Sequence, residues 1–315
     1  MTLLWKALPF FIALSVAAQD KQADAPKTFE FKDGDRIVLL GSTVIEREQR
    51  YGYLETMLSL ALGDKNVTVR NLGWSGDTVF GDARSYFGPP EEGLQRLSAN
   101  IDLLKPTVAI LCYGTDLAHQ GLGDLPNFIS GYRGLLDVIR EKAPEVRIVI
   151  VAPPPMETLP PPLPDQAGAN RNLSSLRDAL SKFARTQNAH FIDWFEAMGG
   201  ITKPGSASQP LTENGIHYTE AGYRKLTSTM LQALNLRVPD APITALEPLR
   251  KAVIAKDFLF FNRYRPQNET YLFGFRKHEQ GRNAREIPMF DPLIVDADKK
   301  IDELKNAALA AAKRP

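Results

Sequence analysis

Short apolar runs at 37–41, 67–72, 107–113, 146–152 and 190–193 alternate with longer stretches of helical spacing, and this alternation most constrains the fold. Two inner runs, "TVAILCY" and "VRIVIVA", are almost continuously apolar, as strands covered on both faces are. Helical patterns fall at about 52–62, 91–104, 125–142, 169–187 and 219–234. Strand–helix repetition predicts right-handed βαβ crossovers, and so an α/β fold: a three-layer α/β/α sandwich on a parallel five-stranded sheet. Ligands in such sheets bind outside the carboxyl ends of the strands. The loops at 42–50, 73–88, 114–124 and 153–168 are therefore the ones expected to build a site. The last, "PPPMETLPPPLPD", holds seven prolines and is stiff. It reads either as a rigid wall beside the cleft or as a surface loop frozen by its prolines.

The two ends of the chain break the pattern. Residues 1–18 have an early Lys6, a short apolar core and small residues at Ala17 and Ala18, the layout of a secretory signal peptide. The apolar run falls short of the roughly 20 residues that span a bilayer, although an uncleaved anchor is the alternative reading. Export to the periplasm or the exterior is expected, with no membrane attachment after cleavage. Residues 19–33 read as a polar, disordered linker, 34–235 as the α/β domain, and 236–315 as an extension that wraps it. The extension reads as helical at about 244–264, irregular up to about 290 and helical again at about 292–312. Its core is too small to fold alone. The net charge of +1 gives no general attraction to nucleic acid or anionic membrane. The single Cys112 lies in an apolar run and reads as a buried small hydrophobe. No zinc-type spacing occurs, and neither metal nor organic cofactor is expected.

Four segments carry the chemistry: "GST" at 41–43, "NLGWSGDT" at 71–78, "YGTD" at 113–116 and "ENGIHYT" at 213–219. Their order and spacing resemble the SGNH (GDSL-like) hydrolase family over about residues 34 to 234. The resemblance implies a flavodoxin-like SGNH fold and hydrolysis of esters. A serine after the first strand attacks the ester. Its own N–H, a glycine of the second block and an asparagine of the third bind the oxyanion. A closing Asp-x-x-His supplies the base and the acid that orients it. Carried across, Gly76 matches the oxyanion glycine and His217 the base. Three roles depart: Thr43 stands for the serine, Asp116 for the asparagine and Asn214 for the orienting aspartate.

These departures differ in chemical cost. Thr43 keeps a hydroxyl, more hindered than that of serine, and Ser42 beside it is the alternative nucleophile. An ionised Asp116 beside an oxyanion is repulsive, and it helps only if protonated through burial or a second carboxylate, for which Asp77 is a candidate. Alternatively, Asp116 and Asn214 have exchanged charge duties. Asn214 can accept from His217 through its amide oxygen but brings no charge. In a serine protease triad, Asp-to-Asn at this role costs about 10⁴ in turnover. Glu213 can supply the charge if it turns inward.

Further candidates flank the blocks. Glu46 and Arg47 follow the nucleophile turn and read as groups for a polar substrate, or as the solvated start of a helix. "NETYLFGFRKHEQGRNAR" gathers Arg276 and His278 with Glu279, either reaching the cleft or forming an ion-paired wrap over the surface. His119 reads as a loop-surface residue, and His190 as structural. The segment "GSTVIEREQ" together with that tail is also similar to a subgroup of SGNH-like secreted proteins of planctomycete-type bacteria. The substrate implied is a small-molecule or glycan ester, with a non-catalytic glycan-binding or scaffold protein on the same fold as the alternative.

Overall fold

The computed structural model describes residues 28–201 and 209–313. The expected signal peptide lies outside the described residues, as does most of the linker. In chain order the elements are β1 (Arg36–Gly41), α1 (Thr43–Glu48), α2 (Tyr53–Ala61), β2 (Thr68–Asn71), α3 (Glu91–Leu104), β3 (Val108–Cys112), α4 (Leu117–Gln120), α5 (Leu125–Lys142) and β4 (Arg147–Ala152). They continue with α6 (Ala167–Thr186), β5 (His190–Asp193), α7 (Trp194–Ala197), α8 (Glu220–Ala233), α9 (Ile243–Tyr264), α10 (Glu269–Leu272), α11 (Lys277–Gln280) and α12 (Phe290–Ala312). The five strands are all parallel, in the order β2-β1-β3-β4-β5.

Strand periodicity sorts the core into two layers. Val38, Leu40, Ala109, Leu111, Ile148 and Ile150 face the layer that holds Leu97, Tyr132 and Leu176. Their alternates Ile37, Leu39, Val108, Ile110, Val149 and Val151 face the layer that holds Leu54, Leu58 and Leu226. Both faces of the sheet are thus buried, as the uninterrupted apolar runs require.

Chain order reverses at β1, which pairs with β2 on one side and β3 on the other. Such a switch point opens a crevice at the carboxyl ends of the strands. Gly41 ends β1 there. A Cβ on it would lie 2.4 Å from the Cys112 carbonyl oxygen, so only glycine lets the two strand ends approach this closely.

The extension packs as two long helices and a set of short turns. The stretch expected to be irregular contains α10, α11 and a 3₁₀ segment, Gly281–Met289. One anchor is a buried ion cluster. Lys256 of α9 is fully buried and bonds Glu55 and Asp257 at 2.6 Å each, and the Val69 carbonyl at 3.0 Å. All three of its protons are used, while burial still holds the Glu55 carboxyl above its ordinary value. Removing one member of such a cluster typically costs about 3–5 kcal/mol, because the charges left behind stay buried. Among the described residues, no helix is long and apolar enough to cross a membrane.

Candidate active site

The loops after β1, β2 and β3 carry "GST", "GWSGDT" and "YGTD" to one edge of the sheet. Thr43 is the half-buried first residue of α1. Ser42 is buried, and its backbone is committed: its N–H bonds Cys112 O at 3.4 Å, and its C=O accepts from Ile45 and Glu46. Among the described residues, the Thr43 amide has no hydrogen-bond acceptor.

The second block forms a tight turn. Asp77 N–H closes on Trp74 O at 3.0 Å, and Gly76 sits at the third position with φ +77°. A turn with positive φ at that position favours glycine strongly. Nothing lies within 4 Å of where a Gly76 Cβ would be, and among the described residues its N–H has no acceptor. Two free amides, of Thr43 and Gly76, are thus held on neighbouring loops of the crevice.

Glu46 holds the turn in place. Its carboxylate accepts from Ser75 N at 2.7 Å and Ser75 Oγ at 2.8 Å, and from Arg265 Nη1 at 2.6 Å. At 8% exposure it is neither the solvated helix start nor a substrate-facing group, the two readings that the sequence offered. Beneath the turn lies Arg84, 1% exposed, bonding Asp77 at 2.7 Å and the Leu72 carbonyl at 2.8 Å. The Tyr113 hydroxyl of the third block also donates to Asp77, at 3.2 Å.

Asp77 is therefore not the second carboxylate beside Asp116, because it serves as the partner of Arg84. Asp116 starts α4, and burial raises its carboxyl above the ordinary value. Asp82 and Asp124 push in the same direction, against bonds from its own and the Leu117 backbone.

The base side is built from the 211–219 loop. Asn214 Oδ1 accepts two backbone N–H groups, of His217 at 2.9 Å and Ile216 at 3.2 Å. Its NH₂ group therefore faces the ring, 3.4 Å from His217 Nδ1. An amide NH₂ can only donate. This contact is a hydrogen bond when Nδ1 accepts, that is, in the tautomer with the ring proton on Nε2. The expectation that Asn214 accepts from His217 through its oxygen is corrected, since two backbone donors already hold that oxygen.

Glu213 does not turn inward to replace the charge. It pairs with Arg47, both oxygens 3.1 Å from Nη2. Partial burial lowers the His217 pKa, and the positive Arg47 lowers it further, against the opposing pull of Glu213. The Arg47–Glu213 pair and a bond from Tyr223 Oη to Val44 O at 2.8 Å dock this loop and α8 onto α1. Among the described residues, Thr43 and His217 share no direct hydrogen bond.

The proline-rich loop holds the base loop. Glu157 takes bonds from Leu211 N, Thr212 N and Thr212 Oγ1 at 2.7–3.2 Å, and Tyr218 Oη donates to Pro155 O at 2.5 Å. The wall reading of that loop gains a mechanical content that its composition did not reveal.

The tail reaches the site, through residues other than those singled out. Arg276 bonds Glu279 and Tyr271 within the extension, and His278 is exposed beside Glu279. Among the described residues, neither makes a bond outside the extension. Arg265 and Tyr264 do: Tyr264 Oη donates to Gly73 O at 2.7 Å, and the Arg265 guanidinium lies 3.9 Å over the Trp74 ring. Sequence gave no signal for these two, because their partners lie about 190 to 220 positions away. Arg84 and Glu157 were within reach of inspection, since both lie in loops expected to build the site.

A family model for GDSL-like lipases and acylhydrolases matches residues 35–225. The chain belongs to this GDSL-like family. No curated protein matches it in sequence. Among solved structures, a gut microbial diltiazem-metabolizing enzyme is similar at 13% identity and a TM-score of 0.60. That match covers 92% of this chain and 98% of the other, a share not reached without much of the extension. A GDSL-like lipase from Parabacteroides merdae is similar at 17% identity and a TM-score of 0.53, over 66% of this chain and 99% of its own. An acetylxylan esterase from Geobacillus stearothermophilus, as a catalytic mutant, aligns at 16% identity and a TM-score of 0.49, over 66% and 98%. At these identities the likeness is one of fold.

Proposed function

We propose that this GDSL-like protein is an exported ester hydrolase of low turnover that acts on an acyl ester of a polar, carbohydrate-type substrate. Thr43 is the nucleophile, the Thr43 and Gly76 amides are the oxyanion donors, and His217 is the base. The observation that carries this reading is the pair of amides without acceptors beside a hydroxyl at the switch point of the sheet. Each such donor is worth roughly 3–4 kcal/mol to a tetrahedral intermediate. Arg47, Glu213, Asn214 and Asp116 make the surroundings polar, which suits a decorated sugar better than a lipid chain. Burial favours the neutral form of Asp116, the form that can donate to an oxyanion.

Turnover is low because the resting tautomer of His217 is wrong for a base. With the proton on Nε2, the ring cannot take one from Thr43 until the tautomer exchanges, and the nearby Glu213 carboxylate, paired with Arg47, makes no hydrogen bond to the ring among the described residues. Thr43, Asp116 and Asn214 form one coordinated rewiring of a planctomycete-type subgroup under this proposal. The test is hydrolysis of aryl acetates and acetylated glycans by wild type, Thr43→Ala and His217→Ala. Wild type is expected to exceed both variants. Equal rates for all three would remove the hydrolase reading.

The same tautomer favours a second reading, a glycan-binding protein that no longer hydrolyses. It requires saturable glycan binding, measured by calorimetry, that survives His217→Ala while no turnover is detected.

A further inference from the structure

We propose that Arg265 of the C-terminal extension is a positioning residue that holds the oxyanion turn in its donor geometry, an inference that rests on the hydrolase reading only for its kinetic consequence. The chain of contacts is continuous. Arg265 Nη1 donates to Glu46 Oε2, and that same oxygen accepts from Ser75 N. Glu46 Oε1 accepts from Ser75 Oγ. Ser75 is the residue before Gly76, so fixing both its N–H and its hydroxyl orients the peptide that carries the Gly76 amide. The guanidinium also covers the Trp74 ring, and the preceding Tyr264 bonds Gly73 O. Every residue from Gly73 to Ser75 is thereby tied directly or through Glu46 to the last two residues before Pro266. Without Arg265 the buried Glu46 carboxylate keeps only its Ser75 donors, and an uncompensated charge at this depth is driven to move towards water. Its movement would carry Ser75 along and swing the Gly76 N–H away from the oxyanion.

The pairing also gives the extension a role beyond covering the sheet edge. Its anchor at the Lys256 cluster and its working contact at Arg265 lie on the same helix–turn, so docking of the one sets the other.

Amide hydrogen exchange of the full chain, with aryl acetate kinetics beside it, tests this. The variants are Arg265→Ala, Arg265→Lys and Arg285→Ala, the last an exposed control on the same extension. Exchange in peptides spanning 73–78 is expected to rise at least tenfold in Arg265→Ala while peptides within 243–260 stay protected. Arg265→Lys restores most of the protection, and Arg285→Ala matches wild type. In the kinetics, kcat falls at least tenfold with KM little changed. Unchanged exchange at 73–78, or equal acceleration across the whole extension, overturns the proposal. Should Arg265→Ala fail to fold, Glu46→Gln is read by the same exchange criterion. An inactive wild type sinks the hydrolase reading alone, since the exchange result stands without turnover.

Discussion

The two halves of the crevice are held with equal care and to opposite chemical effect. On one side, Glu46, Arg265 and Tyr264 fix a turn that, among the described residues, leaves the Gly76 amide without an acceptor. On the His217 side, Glu157 and Pro155 fix a loop in which the Asn214 NH₂ faces the imidazole. Rigidity is therefore no measure of catalytic competence. What differs is which atoms each brace leaves unpaired: an amide N–H at Gly76, and at Asn214 an NH₂ that faces the His217 ring.

The sharpest way to break the contrast is Asn214→Asp. An oxygen facing Nδ1 moves the proton there and frees Nε2 to act as a base. Turnover of aryl acetates is expected to rise by about 10³- to 10⁴-fold, the size of the reverse change in a serine protease triad. No gain would place the defect on the oxyanion side instead. Loosening the base loop comes next. Glu157→Ala removes the acceptor of three donors, and a misplacement of about 1 Å costs on the order of 10²-fold in kcat. Measured in the Asn214→Asp background, that loss exceeds any change in KM.

On the oxyanion side a milder cut is available. Tyr264→Phe deletes one hydrogen bond to Gly73 O, worth about 1 kcal/mol, and lowers kcat about fivefold with little change in melting temperature. The smallest effect concerns pH. Burial and Arg47 depress the His217 pKa, so the ring stays neutral to lower pH than an ordinary histidine does. The acid limb of the kcat/KM profile therefore falls below pH 6.5. Arg47→Ala removes one depressing charge and moves that limb upwards. A downward move would show that the unpaired Glu213 had swung away and that the loss of its upward pull outweighs the loss of Arg47.

Most of the scaffold was legible in the sequence. Apolar runs of four to seven residues and amphipathic stretches of fixed period report burial directly, so the five strands and the large helices fall close to their expected limits. Short elements such as α4 and α7 were missed, because four residues carry too little periodicity to stand out. Gly76 was legible as a turn glycine because its positive φ demands one. The roles of Glu46 and Asp77 were misread, for a carboxylate's task depends on its partner, and those partners, Arg265 and Arg84, come from elsewhere in the fold.

The sequence by itself determined the parallel sheet and the edge at which the loops after its first three strands meet. It left open which end of the Asn214 amide meets His217, because both ends are polar and nearly the same size. Only the tertiary structure decided that, by placing two backbone N–H groups on the amide oxygen. Only it could bring Arg265 onto Glu46, because a contact between residues 219 positions apart exists once the extension has docked and not before.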